Sequence, residues 1–185
     1  MRKTFDPQFT LGMHPIGKTV VSPRNRNALS KLSRALIEIY NNDMYRTKIL
    51  TILANHINAG KKRTGRPGLN LWQIFVLGNF RLALDLSYDD LHDHANKHLT
   101  VRSLLGILAE GFSQPNIEIS YQTVIDSVGL LSDDILMEIN DVICEFGDKK
   151  IFKKKRGRDI SSKQIATWLR AMCTFQQTTI YYTIA

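Results

Sequence analysis

Apolar residues recur at helical spacing along most of the chain. Leu29, Leu32, Leu36, Ile37 and Tyr40 form one such face, and Ile49, Leu50, Leu53 and Ile57 form a second. This periodicity predicts two helices, the first starting near Asn25 or Asn27 and the second ending near Gly60. Asn41-Asn42-Asp43 breaks the pattern between them, and Asp43 is suited to cap the second helix. So short a connection predicts an antiparallel pair. A third helix is read from Leu71, Trp72, Ile74, Phe75, Val76, Leu77, Phe80, Leu82 and Leu84, with Asn70 as its cap. It is apolar on nearly all sides, which predicts a buried central element with Trp72 and Phe80 in the core.

The second half is more polar. Ser87-Tyr88-Asp89-Asp90 supplies a capping hydroxyl and first-turn acids for a short helix through Leu91. His98-Leu99-Thr100 reads as a tight turn, with Thr100 capping a helix that holds Val101, Leu104, Leu105 and Ile107. Two short helices across such a turn fit a helix-turn-helix. The DNA-binding kind would present Arg102 and Ser103 near the start of its second helix. Residues 111–118 read as a loop. Ser120 caps a helix with Val124, Ile125 and Val128. Ser132-Asp133-Asp134 starts the last one, whose stripe is Ile135, Leu136, Ile139, Val142, Ile143 and Phe146, with Gly147 as its stop. No strand signal of comparable strength precedes residue 148. The prediction is all-α: a bundle of about seven helices with a helix-turn-helix-like unit, an extended N-terminal arm and an irregular C-terminal tail.

Pro7, Gly12, Pro15, Gly17 and Pro23 mark residues 1–24 as an extended basic arm, ordered only where it docks. The helical body covers 25–148, a basic linker 149–158 and a tail 159–185. A chain of 185 residues has room for one such core with tails. Its net charge of +8 favours a polyanionic partner. Two runs concentrate the charge. Lys61, Lys62, Arg63 and Arg66 share one loop. Lys149, Lys150, Lys153, Lys154, Lys155, Arg156 and Arg158 place seven basic residues in ten. A solvated linker is the plain alternative for the second run; beside the basic loop, it is read as phosphate-binding. Cys144 lies on an apolar stripe, where a buried free thiol is expected, and with Cys173 it makes neither a disulfide framework nor a zinc site. No stretch has the length of a membrane span, and no apolar run follows Arg2 and Lys3 to make a signal peptide. The expected location is cytoplasmic, with the nucleoid as the site when DNA is bound.

No catalytic residue or metal site is assigned. Asp89, Asp90 and Asp93 lie within a turn and a half, but acids in a helix's first turn are favoured by the dipole alone. His94 and His98 share a face at a spacing that suits zinc, yet a third ligand at defined spacing is missing. Walker-type glycine loops, nucleophile elbows and zincin motifs are absent.

One stretch carries a family resemblance. From Gly65 to Gly106 the order is Gly65-Arg66-Pro67, the apolar helix from Leu71, Leu84 with Leu86-Ser87, Leu91, and Leu104-Leu105-Gly106. Ser120 to Thr123 and the 133–146 helix with Glu138-Ile139-Asn140 continue it. The order resembles the N-terminal helical domain of bacterial insertion-sequence transposases of the DDE type, over about residues 25 to 155. The resemblance implies a helical domain that binds transposon-end DNA and supports assembly, leading into an RNase H-like catalytic domain. There, three carboxylates would hold two divalent ions, ordinarily magnesium, for phosphodiester transfer. A small helical regulator that binds DNA as a homodimer is the alternative.

The chain departs from that pattern after Arg158. The family's first catalytic Asp and its His-Tyr/Phe-Pro-Thr-Asp segment are not found in residues 159–185. Shifting the reading frame from the third base of the Met172 codon allows Val-His-Phe-Pro-Thr-Asp-Asn-Asn-Leu-Leu-Tyr-Asp. An Ala171 codon ending in G supplies the Asp before it. A frameshift near residues 155–165 is therefore expected, leaving a tail that was never selected to pack and no strand-transfer activity. The run Thr178 to Ile184 has high β propensity and an aggregation risk.

Overall fold

A computed structural model describes residues 2–3, 15–22, 24–60, 68–107 and 118–153. These form an all-α bundle of seven helices: α1 (Ala28–Tyr40), α2 (Asp43–Ile57), α3 (Leu71–Ala83), α4 (Tyr88–Lys97), α5 (Leu99–Leu104), α6 (Tyr121–Val128) and α7 (Asp133–Lys153). A single 3-10 turn, Ile16–Lys18, precedes α1. Among the described residues no helix is long and apolar enough to cross a membrane.

Local chemistry sets most helix starts. The Asn27 side chain accepts from the Leu29 N–H at 3.0 Å and opens α1. Asn70 and Gln73 form a reciprocal capping box at α3, each side chain accepting the other's backbone N–H. Ser87 and Ser120 cap α4 and α6. At α2 the cap is Asn42, accepting from Tyr45, and not Asp43. Asp43 is the first helical residue and pairs instead with Arg46 at 2.6 Å.

Two ends wind into the left-handed region. After α3, Asp85 has φ 49° and the Leu86 N–H reaches back to the Arg81 carbonyl at 3.0 Å. After α5, Gly106 has φ 73° and the Ile107 N–H reaches the Arg102 carbonyl at 2.9 Å. Both are six-to-one closures that satisfy orphan carbonyls.

The core is built around α3, which packs on α1, α2, α4 and α6. Trp72, Phe75 and Phe80 are at most 1% exposed. Tyr40 meets Trp72 edge-on at 5.1 Å, and Tyr45 meets Phe146 at 4.9 Å across the α2–α7 seam. A Cβ at Gly78 would meet the end of the Leu131 side chain, so α3 packs closely on the α6–α7 connection and a larger residue there would have to displace that leucine.

The structure departs from expectation at two points here. Gly147 does not end α7, which runs on to Lys153. Glycine inside a helix costs about 1 kcal/mol against alanine. Here Gly147 is buried, and the Glu145–Lys149 ion pair spans it. The residues expected as a linker from 149 therefore begin as helix. Cys144 is disulfide-bonded and not a free thiol, with its partner outside the described residues. The arm, expected to be ordered only where it docks, does dock at Arg2 and Ile16. Ile16 is buried in the core. The Arg2 N–H donates to Asn58 Oδ1 at 2.6 Å, and Asn58 Nδ2 returns a bond to the Arg2 carbonyl at 3.0 Å. The expected tail, 159–185, lies outside the described residues.

Candidate nucleic-acid interface

Three groups of residues are expected to face DNA, and folding treats them differently. Arg102 and Ser103 are buried in the bundle. Helix α5 is only six residues long, separated from α4 by His98 alone, and it has no side-chain cap. Thr100 falls inside its first turn. Arg102 is 6% and Ser103 7% exposed. The reason is a set of long-range bonds that press α5 into the bundle. Trp72 Nε1 donates to the Leu104 carbonyl at 2.9 Å and Gln73 Nε2 to the Leu105 carbonyl at 2.9 Å. Arg102 Nη1 donates to the Asn96 carbonyl at 3.0 Å, closing the α4–α5 corner. Helices α4 and α5 form a two-helix unit, but its second helix faces inward and presents no base-reading side chain.

The second group starts on the end of α7. Lys149 is bound to Glu145 and lies 5.7 Å from the Tyr45 ring centroid. Glu145 also takes Lys48 at 3.1 Å. Hydrogen bonds from Lys149 and then Lys48 hold its carboxyl down at about 2, and Glu145 in turn raises Lys149. Lys150 and Lys153 fall on the last turns of the helix. Lys154, Lys155, Arg156 and Arg158 lie outside the described residues.

The third group, Lys61, Lys62, Arg63 and Arg66, also lies outside them, between Gly60 and Gly68. Its two flanks are described and fixed. Asn58 is tied to the Arg2 main chain, and the Lys3 carbonyl accepts the Leu71 N–H at 3.1 Å, satisfying a free donor at the start of α3. A Cβ at Gly68 would overlap the Arg2 guanidinium. Arg2 and Lys3 therefore stand at the base of the basic loop. Sequence reasoning misses this placement because 56 positions separate Arg2 from Asn58. The only signal is the Arg-Lys pair itself.

The acidic and histidine-rich stretch behaves as a helix start. Ser87 Oγ accepts the Asp90 N–H at 3.1 Å and donates to Asp90 Oδ2 at 2.7 Å. Asp93 pairs with Lys97 at 2.8 Å, and that bond lowers its pKa. His94 Nδ1 lies 2.7 Å from the Asp90 carbonyl, and its ring stacks on His98 with centroids 5.8 Å apart. Burial, and then His94, push His98 down. No three potential metal ligands converge among the described residues.

An open groove of about 650 Å³ runs between α2 and α7, lined by Met44, Thr47, Ile52 and Val142. Its charged margins are Asp43, paired with Arg46, and Lys48, paired with Glu145. It offers no free charge to a phosphate. No protein-family model, curated protein or solved structure matches this chain.

Proposed function

We propose that the chain acts as the N-terminal DNA-binding and assembly part of an insertion-sequence transposase, holding transposon-end DNA through phosphate contacts. The observation that carries this reading is the junction of α2 and α3. Four loop cations, Lys61, Lys62, Arg63 and Arg66, are flanked there by anchored Arg2 and Lys3. Clustered cations on a fixed base gain affinity by releasing counterions from the duplex. Also in support, the resembling stretch folds in its expected order: a buried helix, a capped polar helix, then a short one closed by Gly106. Asp90 is engaged in a helix cap and Asp43, Asp93, Glu138 and Glu145 in ion pairs, and the reading gives the described helices binding and assembly and leaves strand transfer to the family's catalytic domain. The tail from residue 159 is proposed to be out of frame, which nucleotide sequencing across codons 150–185 checks.

The test replaces Lys61, Lys62, Arg63 and Arg66 together by Gln and titrates an end-derived duplex at several salt concentrations. Loss of four phosphate contacts flattens the slope of log affinity against log salt by about 3 to 4. An unchanged slope removes the loop from the interface.

A further inference from the structure

Charge is segregated along this chain far more than its net value suggests. Residues 1–67 hold 13 Lys and Arg against 3 Asp and Glu; residues 68–148 hold 3 against 13. In the folded structure the cations also differ in what they do. Each described cation from Arg46 to Lys149 is engaged locally. Arg46 binds Asp43 and the Tyr40 carbonyl. Lys48 and Lys149 share Glu145. Lys97 binds Asp93, Arg102 binds the Asn96 carbonyl, and Arg81 lies 4.3 Å over the Tyr88 ring.

The cations before and on α1 are different. Lys18, Arg24 and Arg26 are exposed and Lys31 is half-buried, and none of them joins an ion pair among the described residues. Their backbone is nevertheless held. The Thr19 N–H donates to the Ile16 carbonyl at 3.0 Å, and Ile16 is buried. Arg34 Nη1 donates to the Ser22 carbonyl at 2.9 Å, fastening the arm along α1. The Asn25 N–H donates to the Ser22 carbonyl, the Asn27 N–H to Asn25 Oδ1 and the Leu29 N–H to Asn27 Oδ1, so the turn into α1 is closed at every step. Free cations on fixed backbone bind phosphate without first breaking a pair or ordering a main chain.

We infer that the arm–α1 surface carrying Lys18, Arg24, Arg26 and Lys31 is a second phosphate-binding site for duplex DNA, separate from the 61–66 loop. The inference rests on the proposed function for its ligand. It goes further by placing DNA along the arm and α1.

The experiment uses the full chain and a duplex of about 30 base pairs with arbitrary sequence, long enough to cover both sites. Affinity is measured by fluorescence anisotropy between ~50 and ~200 mM salt. Three variants are compared with the parent. The first carries Lys18→Gln, Arg24→Gln, Arg26→Gln and Lys31→Gln. The second carries the four loop substitutions. The third, Arg24→Lys with Arg26→Lys, keeps the charge. The first variant is expected to lose about 3 to 4 from the salt slope, so that affinity falls about a hundredfold less across that range. The charge-keeping variant stays at the parent's slope. A normal slope in the first variant with a flattened one in the loop variant overturns the second site and leaves the proposed function standing. Parent protein that binds no duplex overturns both. Binding to phosphatidylserine vesicles in place of the duplex overturns the assignment to DNA in favour of a membrane surface.

Discussion

Helix α5 and the arm–α1 segment both carry arginines close to a helix end, and they meet opposite fates. Arg102 is 6% exposed and closes a corner on the Asn96 carbonyl. Arg24 and Arg26 stand in solvent with their backbone locked by asparagine turns. The difference does not lie in the residues or in their distance from a helix end. It lies in what reaches them from elsewhere in the chain. Two side chains of α3 hold the end of α5 down, whereas the contacts on the arm grip main chain and leave the guanidinium groups out. On the proposed reading, a cation is available to DNA when packing fixes its backbone and spares its head group.

The largest expected effect comes from releasing α5. Trp72 is fully buried and its indole N–H satisfies the Leu104 carbonyl. Trp72→Ala is expected to cost about 3–5 kcal/mol through the cavity and the lost contacts. That is a large part of the about 5–15 kcal/mol that holds a domain together. Should Trp72→Ala fail to fold, Trp72→Phe keeps most of the volume and leaves the Leu104 carbonyl unpaired, at about 1–3 kcal/mol. Urea denaturation followed by far-ultraviolet circular dichroism measures both. A Trp72→Phe protein as stable as the parent would mean that α5 is not held by this bond.

Arg102 sharpens the same contrast from the other side. Arg102→Ala removes a buried stem and leaves the Asn96 carbonyl short of a donor, an expected loss of about 1–3 kcal/mol. Its affinity for duplex DNA is expected to equal the parent's when both are measured below their unfolding transitions. The reverse result, normal stability with weakened binding, would return Arg102 to the interface and undo the distinction between the two regions.

These contrasts show what can be read from sequence. Asn27, Asn70, Ser87 and Ser120 are legible as caps because their chemistry spans three residues. The apolar stripes are legible because helical period and burial agree, and the buried α3 follows from having no polar side. Asn42 and Asp43 are both good caps, so a one-residue error is built into the pattern. Gly147 misleads because a local rule is overridden by burial and an ion pair across it. The inward turn of α5 is hidden because its causes, Trp72 and Gln73, lie 32 residues away. The arm–α1 cations are hidden for a related reason. Lys18, Arg24, Arg26 and Lys31 make no run in the sequence, and the docked arm sets Lys18 beside the C-terminal end of α1 and the other three at its start. The dense run from Lys149 stands out at once, yet its first member is the one already paired.

That pairing yields the smallest and most specific prediction. Glu145 is the reason Lys48 and Lys149 are not free like the cations on α1. Its carboxyl is held at about 2, against an ordinary 4.5, chiefly by the bond from Lys149 and then by that from Lys48. A carboxylate with a depressed folded-state pKa binds fewer protons folded than unfolded within that interval. Its contribution to stability is complete above about pH 4.5 and disappears as pH falls through about 2. The group is partly exposed, so the effect is small and shrinks with salt. The stability difference between the parent and Glu145→Gln, taken from urea midpoints at low salt, is therefore expected to close as pH falls through that window. The same substitution frees Lys48 and Lys149, which is expected to raise the duplex salt slope toward that of a protein with two more phosphate contacts. A pH-independent stability difference would show that Glu145 acts through packing and not through charge. An unchanged salt slope would show that neither Lys48 nor Lys149 joins the interface when released.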